Sequence, residues 1–183
     1  MILNSVGPSV DVAVTALASV RDRSGRHLGN WPAPSAGVPQ IARTVMDGES
    51  DTPPKAARDF TGRILGEWAL DDRAEGVCLV VSELVTNAVC HALRCPQDIP
   101  TLWTLQLVLI RHPRRLAVAV TDPSVRPPTI VPRPDELRDG GRGLHVVQAL
   151  SSAWGWAALP CGGKAVWATF DLMPTPLAKH PPG

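Results

Sequence analysis

The segment VSELVTNAVCHA, residues 81–92, constrains this chain more strongly than any other. Its polar residues Glu83, Asn87 and His91 recur every four positions. At about 100° per residue they would fall within an arc of about 80° on one side of a helix. The adjacent arc holds the hydrophobic residues Val77, Val81, Leu84, Val85, Ala88 and Ala92. The pattern therefore predicts an amphipathic helix over residues 72–93, whose polar stripe is either a solvated face or the floor of a site.

The composition limits the classes of protein to which this chain can belong. The chain has 183 residues, 44% hydrophobic and 19% charged, which suits one globular domain with a real core. Its net charge of +1 gives no overall basic character for nucleic-acid binding. No apolar run approaches the ~20 residues needed to span a bilayer. The four cysteines form no CxxC pair and no zinc-type spacing. We therefore expect a cytoplasmic protein that binds neither nucleic acid nor a membrane directly.

The two ends of the chain differ from its middle. Residues 1–36 show no sustained hydrophobic period and end in a stretch rich in Pro, Gly, Ser and Ala. The last residues, 174–183, are also rich in proline. We expect a disordered N-terminal extension over 1–36, a folded domain over 37–173 and a disordered tail over 174–183.

The middle of the chain alternates between helical and strand patterns. The predicted elements are a strand within 39–46, helices over 54–70 and 72–93, a hairpin of 102–110 and 115–122, a helix opening at GGRGLHVVQAL, and a second hairpin of WGWAAL and KAVWATFDL. The order β-α-α-β-β-α-β-β predicts an α/β fold in which helices cover one face of a sheet, and it excludes a doubly wound Rossmann fold. The Pro-rich segment 124–140 is long for a loop in a compact domain, which is typical of a lid or a binding loop.

The polar stripe carries chemistry. A carboxylate such as that of Glu83 can take a proton from a hydroxyl as a general base. The amide oxygen of Asn87 is a neutral ligand suited to Mg²⁺, which takes its other ligands from water and nucleotide phosphates. The imidazole of His91 could bind a phosphate. The alternative is an ordinary polar face on a surface helix.

Two further motifs are ambiguous when each is taken alone. In VTDPS, Asp122 ends an apolar strand and could accept a hydrogen bond from an exocyclic amine such as that of adenine, or could simply start a turn. In DGGRGLHVV, glycines precede a helix whose free N–H groups and dipole favour an anion, and Arg142 could add a charge-assisted bond to a phosphate. The second motif is not the Rossmann GxGxxG, because position 146 is valine.

Taken in order, the three motifs resemble the GHKL superfamily of ATPases and kinases. The segments VSELVTNAVCHA, VTDPS, GRGLHVVQALSSAWG and GKAVW are most similar to the anti-sigma-factor serine kinases and their stand-alone ATP-binding relatives. The resemblance covers about residues 54–172. It implies the Bergerat fold, a two-layer α/β sandwich with a mixed, largely antiparallel sheet and helices on one face.

The resemblance also implies a site for ATP and Mg²⁺ between the second helix and the loop 124–140. Glu83 would be the general base, Asn87 the Mg²⁺ ligand and Asp122 the acceptor for the adenine amine. The remaining nucleotide-binding residues would be His91, Ser124, Gly141, Arg142, Gly143 and Leu144. This chain departs from the family pattern in having D-x-S for D-x-G, and Gly-Lys-Ala at 163–165 where many members have Gly-Thr. Lys164 therefore has no role assigned by the resemblance.

By the same resemblance, the expected function is that of a serine/threonine protein kinase. It would transfer the ATP γ-phosphate to a serine of an anti-sigma antagonist and would sequester a sigma factor. The alternative is a non-catalytic, ATP-dependent protein-interaction module. A homodimer is compatible with the resemblance, and the sequence does not determine the oligomeric state.

Overall fold

The structure, a computed structural model, describes residues 39–46, 53–90, 104–130, 142–159 and 162–172. The predicted terminal segments 1–36 and 174–183 lie outside these ranges. The elements are the strands β1 (Gln40–Met46), β2 (Leu105–His112), β3 (Arg115–Asp122), β4 (Ala153–Ala158) and β5 (Lys164–Asp171), and the helices α1 (Pro53–Glu67), α2 (Ala74–Ala88) and α3 (Gly143–Leu150). Their order is the predicted one.

The strands form one five-stranded sheet in the order β1-β2-β3-β5-β4. Each pair of neighbouring strands is antiparallel. The predicted α/β sandwich with a largely antiparallel sheet is confirmed. The described strands contain no parallel pair, so the mixed character implied by the resemblance is not found among them.

Alternation along β3 separates the two faces of the sheet. Leu116, Val118 and Val120 pack into the larger hydrophobic core with residues of all three helices. Ala117 and Ala119 point the other way and pack with β2 and β5 side chains in a second buried cluster, which contains no helix residue. Because successive strand residues point to opposite faces, the helices of the described chain share one side of the sheet.

Helix α2 is at the centre of the helical layer. It contacts α1 on one side and α3 on the other, and it packs across β3 and β5. Its buried residues are Val77, Val80, Val81, Ser82, Leu84, Val85 and Ala88. Glu83 and Asn87 lie in the arc beside this apolar face, next to Gly143 at the start of α3.

Several element boundaries differ from the predicted ones, and α1, for example, is Pro53–Glu67 instead of 54–70. A short 3-10 turn, Asp71–Arg73, precedes α2, so the α-helix begins at Ala74. It ends at Ala88, and residues 91–93 of the predicted helix lie outside the described residues. Strand β2 begins at Leu105 and continues to His112, because a two-residue turn at 113–114 replaces the predicted four-residue connection. No helix of the described ranges is long and apolar enough to cross a bilayer.

Candidate functional site

Two residues of the predicted stripe lie together on α2. Glu83 and Asn87 are four residues apart and both are half-buried. The third, His91, lies outside the described residues. Glu83 belongs to none of the ion pairs found among the described residues. The side chains of Glu83 and Asn87 therefore lie at the edge of the core rather than on a fully solvated face.

The first residue of α3 touches this pair. A Cβ atom built on Gly143 would lie 2.7 Å from Oε2 of Glu83, and 3.2 Å and 3.3 Å from Nδ2 and Oδ1 of Asn87. Real Cβ atoms essentially never approach within 3.0 Å, so a larger residue at 143 would have to displace the carboxylate. The fold thus brings together two motifs that are 60 residues apart in the chain, counting from Glu83 to Gly143.

The start of α3 presents backbone N–H groups that make no bond within the helix. Among the described residues no side chain caps this helix end, and Arg142, which precedes it, is exposed. The amides of His145 and Val146 donate to the carbonyl of Arg142, as the first internal bonds of the helix. The amides of Gly143 and Leu144 precede these bonds, and free N–H groups at a helix start favour an anion. The side chain of Leu144 is buried, so only its backbone can face such a ligand. Gly141 lies outside the described residues.

Asn87 has an unusual environment. Its Nδ2 atom is buried and has no hydrogen-bond partner among the residues that the structure describes. Leaving a buried polar group unpaired costs about 1–3 kcal/mol. Such an atom, next to a carboxylate and a helix start, marks a place where a ligand can supply the missing partner.

Asp122, the last residue of β3, is nearly inaccessible to solvent. Its Oδ1 atom accepts a hydrogen bond from Nζ of Lys164 at 2.6 Å and another from the amide of Ser124 at 2.9 Å. Burial raises the pKa of the Asp122 carboxyl, and the bonds from Lys164 and Ser124 act against that rise. Asp122 therefore starts a turn, which is one of the two interpretations of the sequence, and its role as an acceptor for adenine stays a prediction.

Sequence reasoning assigned no role to Lys164, yet it is the ionic partner of Asp122. The strand register places the two residues directly opposite each other in β3 and β5. Only the strand pairing, and not the spacing along the chain, could have indicated this contact. Ser124 uses its backbone amide to bind Asp122 and its hydroxyl to accept a bond from the amide of Arg126 at 3.2 Å.

The loop that follows Asp122 is described only in part. Residues 124–130 contain no helix or strand and are largely exposed, whereas 131–140 lie outside the described residues. The irregular structure of the first part agrees with the prediction of a long loop beside the site. Helix α2 contacts both α3 and β3, the elements that carry Gly143 and Asp122.

The five-stranded antiparallel sheet, with an acidic and an amide side chain of α2 next to the start of α3, is consistent with a domain of the GHKL ATPase type. Residues 52–170 match the family model of the histidine kinase-like ATPase domain. The match covers more than half of the chain, and the chain therefore belongs to this family. A comparison with curated proteins found no match. Membership confirms the resemblance to the GHKL superfamily, but not to the anti-sigma-factor kinases in particular, and it implies that the chain binds ATP.

Proposed function

We propose that this chain is an ATP-dependent serine/threonine protein kinase that transfers the γ-phosphate of Mg-ATP to a serine of a partner protein. The observation that carries the proposal is the contact of Gly143 with Glu83 and Asn87. It sets a carboxylate, an amide and the start of a helix side by side. Phosphoryl transfer depends mainly on positioning and on neutralising charge, and these groups can do both.

The phosphates would lie at the start of α3. The amides of Gly143 and Leu144 would bind phosphate oxygens, and the helix dipole adds a favourable interaction with the negative charge. Arg142 is exposed at the same helix end, where its guanidinium could reach a phosphate. Gly141 and His91 remain predicted phosphate contacts from the resemblance.

The side chain of Asn87 is suited to act as a Mg²⁺ ligand. Its side-chain oxygen is of the kind Mg²⁺ prefers. The buried Nδ2 atom is a donor, which a phosphate oxygen of the nucleotide could satisfy. Among the described residues no group of three His, Cys, Asp or Glu side chains could hold a metal alone. The ion would therefore take its other ligands from phosphate oxygens and water. When bound, Mg²⁺ would neutralise phosphate charge.

Glu83 would act as the general base. Its carboxylate would take the proton from a serine hydroxyl of the partner as the serine oxygen bonds to the γ-phosphorus. The bond between the γ-phosphorus and the β,γ-bridging oxygen breaks, and that oxygen leaves with ADP. The proton then remains on Glu83, which returns it to solvent.

Asp122 would bind the base of the nucleotide. Its carboxylate ends β3 beside α2, and the exocyclic amine of adenine is a donor that fits it. Ser124, whose amide holds Oδ1 of Asp122, would keep that carboxylate in place and border the nucleotide.

The partners are proposed from the resemblance. We propose that the serine belongs to an anti-sigma antagonist, that the chain also sequesters a sigma factor, and that it does so in the cytoplasm, where such partners are found. The functional unit would be the domain over 37–173. The pairing of β1 with β2 supports including residues before the matched segment, because this strand completes one edge of the sheet.

The test is a single-turnover assay with γ-labelled ATP and the proteins that a pull-down recovers. We expect Mg²⁺-dependent transfer of label to a serine, loss of transfer in Glu83→Ala, and retention of nucleotide binding in that variant. Glu75→Ala is the matched control, because Glu75 is an exposed acidic residue on the same helix. Transfer at the wild-type rate from Glu83→Ala would remove Glu83 from the mechanism. Binding of ATP without transfer or hydrolysis would favour the non-catalytic interaction module.

A further inference from the structure

Lys164 and Asp122 form a buried ion pair whose hydrogen-bonding capacity is only partly used. We infer that Lys164 reads the base of the nucleotide together with Asp122, donating to the ring nitrogen N1 of adenine while Oδ2 of Asp122 accepts from the N6 amine. This inference rests on the proposed function, since it takes the base to lie at Asp122. It assigns a specificity-determining role to a residue for which the family resemblance provides none.

The pair is held by the sheet. Lys164 is the first residue of β5 and is paired with Asp122, the last residue of β3. The side chains are 7% exposed for Lys164 and 2% exposed for Asp122. Besides Oδ1 of Asp122 at 2.6 Å, Nζ of Lys164 has the carbonyl oxygen of Ser124 as an acceptor at 3.2 Å. The ammonium is therefore fixed by two acceptors at the end of the strand.

Each group retains capacity for a ligand. An ammonium has three N–H donors, and Lys164 uses two of them on Asp122 and Ser124. On Asp122, both described bonds end on Oδ1, and Oδ2 accepts none from the described residues. A buried ion pair offsets its desolvation only when its remaining donors and acceptors are satisfied. As far as the described residues go, one donor and one acceptor are thus left next to each other, and a ligand can satisfy both.

The chemistry of the purine edge fits this pair. Adenine presents a donor, its N6 amine, next to an acceptor, N1. Guanine presents N1–H as a donor next to O6 as an acceptor. Either purine therefore needs one acceptor and one donor next to each other on the protein. We assign adenine, because the family implies ATP. Lys164 has a second effect on the same contact: it acts against the rise of the Asp122 pKa and so favours the ionised carboxylate that accepts from the amine.

The direct test changes the ligand and leaves the protein intact. Isothermal titration calorimetry compares wild-type binding of Mg-ATP with that of 1-deaza-ATP, in which a C–H replaces N1. A charged donor contributes about 1.5–3 kcal/mol to a hydrogen bond, so we expect 1-deaza-ATP to bind roughly tenfold to a hundredfold more weakly. In Lys164→Met, ATP should lose a similar factor and the two nucleotides should bind equally. The double cycle isolates the interaction of Lys164 with N1.

Three controls accompany the cycle. Lys55→Met removes an exposed lysine from α1 and should keep the wild-type discrimination. Lys164→Arg keeps the charge and should retain part of the preference for ATP. Removing Lys164 alone leaves a buried carboxylate without its partner, so circular dichroism and thermal melting check that the variant folds. Lys164→Met combined with Asp122→Asn removes both charges and provides a second variant that should not discriminate.

The outcomes separate the inference from the function on which it rests. Equal binding of ATP and 1-deaza-ATP by the wild-type protein overturns the role of Lys164 and leaves the nucleotide site in place. Tighter binding of GTP than of ATP overturns the adenine assignment. Failure of the wild-type protein to bind any of the three nucleotides overturns the proposed function and, with it, this inference.

Discussion

Gly143 at the start of α3 and Glu83 on α2 are so close that only a glycine leaves the carboxylate where it is. The Cβ of any other residue at 143 would lie 2.7 Å from Oε2 of Glu83. The atom that would be displaced is the end of a flexible side chain. A substitution at 143 should therefore disturb the site much more than the fold.

We predict that Gly143→Ala folds normally and loses phosphotransfer. The free energy of unfolding should change by less than about 1 kcal/mol, because Glu83 can rotate away. Turnover should fall roughly a hundredfold, the usual effect of a misplaced catalytic group. Urea unfolding and the labelled-ATP assay measure the two quantities. Gly62→Ala on α1 is the control, since its Cβ would meet only Sγ of Cys78, at 3.9 Å. Unchanged turnover in Gly143→Ala would show that the position of Glu83 is not critical.

Asn87→Leu should separate stability from nucleotide binding. Leucine has a similar size and removes the buried Nδ2 atom that has no partner. We expect the free energy of unfolding to rise by about 1 kcal/mol, because an unsatisfied buried polar group is lost. The thermal stabilisation that Mg-ATP gives the wild-type protein should disappear. Thermal melting with and without Mg-ATP measures both effects. A variant that Mg-ATP still stabilises fully would exclude Asn87 as a ligand of the metal.

His112 should make the protein less stable below neutral pH. It ends β2 and is 6% exposed, and its pKa is lowered from 6.5 by burial and by the positive charge of Arg115. Below about pH 6.5 the unfolded chain takes up a proton that the folded chain still excludes, so stability falls with decreasing pH. One such group contributes at most ~1.4 kcal/mol per pH unit.

Urea unfolding between about pH 7.5 and pH 5.5 tests this prediction, in a window above the titration of most carboxylates. The decrease in stability should be smaller in His112→Gln. An identical pH dependence in wild type and His112→Gln would contradict the assignment.

Gly155→Ala should destabilise the sheet. Gly155 of β4 is paired with Trp167 of β5, and its Cβ would lie 2.5 Å from Cζ2 of the indole. Trp167 is 0% exposed and cannot move aside freely. Overpacking of this kind costs about 1–3 kcal/mol. Chemical unfolding should show the loss. Gly76→Ala on α2 is the control, because nothing lies within 4 Å of its Cβ, and it should be neutral or stabilising. Equal stability of the two variants would rule out a tight contact at Gly155.

The element types could be read from the chain because local periodicity reflects which face of an element is buried. The alternation along β3 and the helical spacing along α2 correspond to the observed buried faces. The predicted ends of the elements were less accurate than their predicted types. Helix α2 begins at Ala74, two residues after the predicted start at 72, because a 3-10 turn comes first. Such ends depend on local turn geometry, and hydrophobic spacing carries little information about it.

The order of helices and strands, the polar stripe on α2 and the family of the chain all follow from the amino-acid sequence. Which residues meet follows only from the way in which the elements pack. Asp122 and Lys164 are 42 residues apart and are joined by strand register. Gly143 reaches Glu83 because α3 packs on α2. Periodicity describes each element against an unspecified core, whereas a contact between two polar side chains depends on how two elements are aligned, and that alignment is determined by the packing of the whole domain.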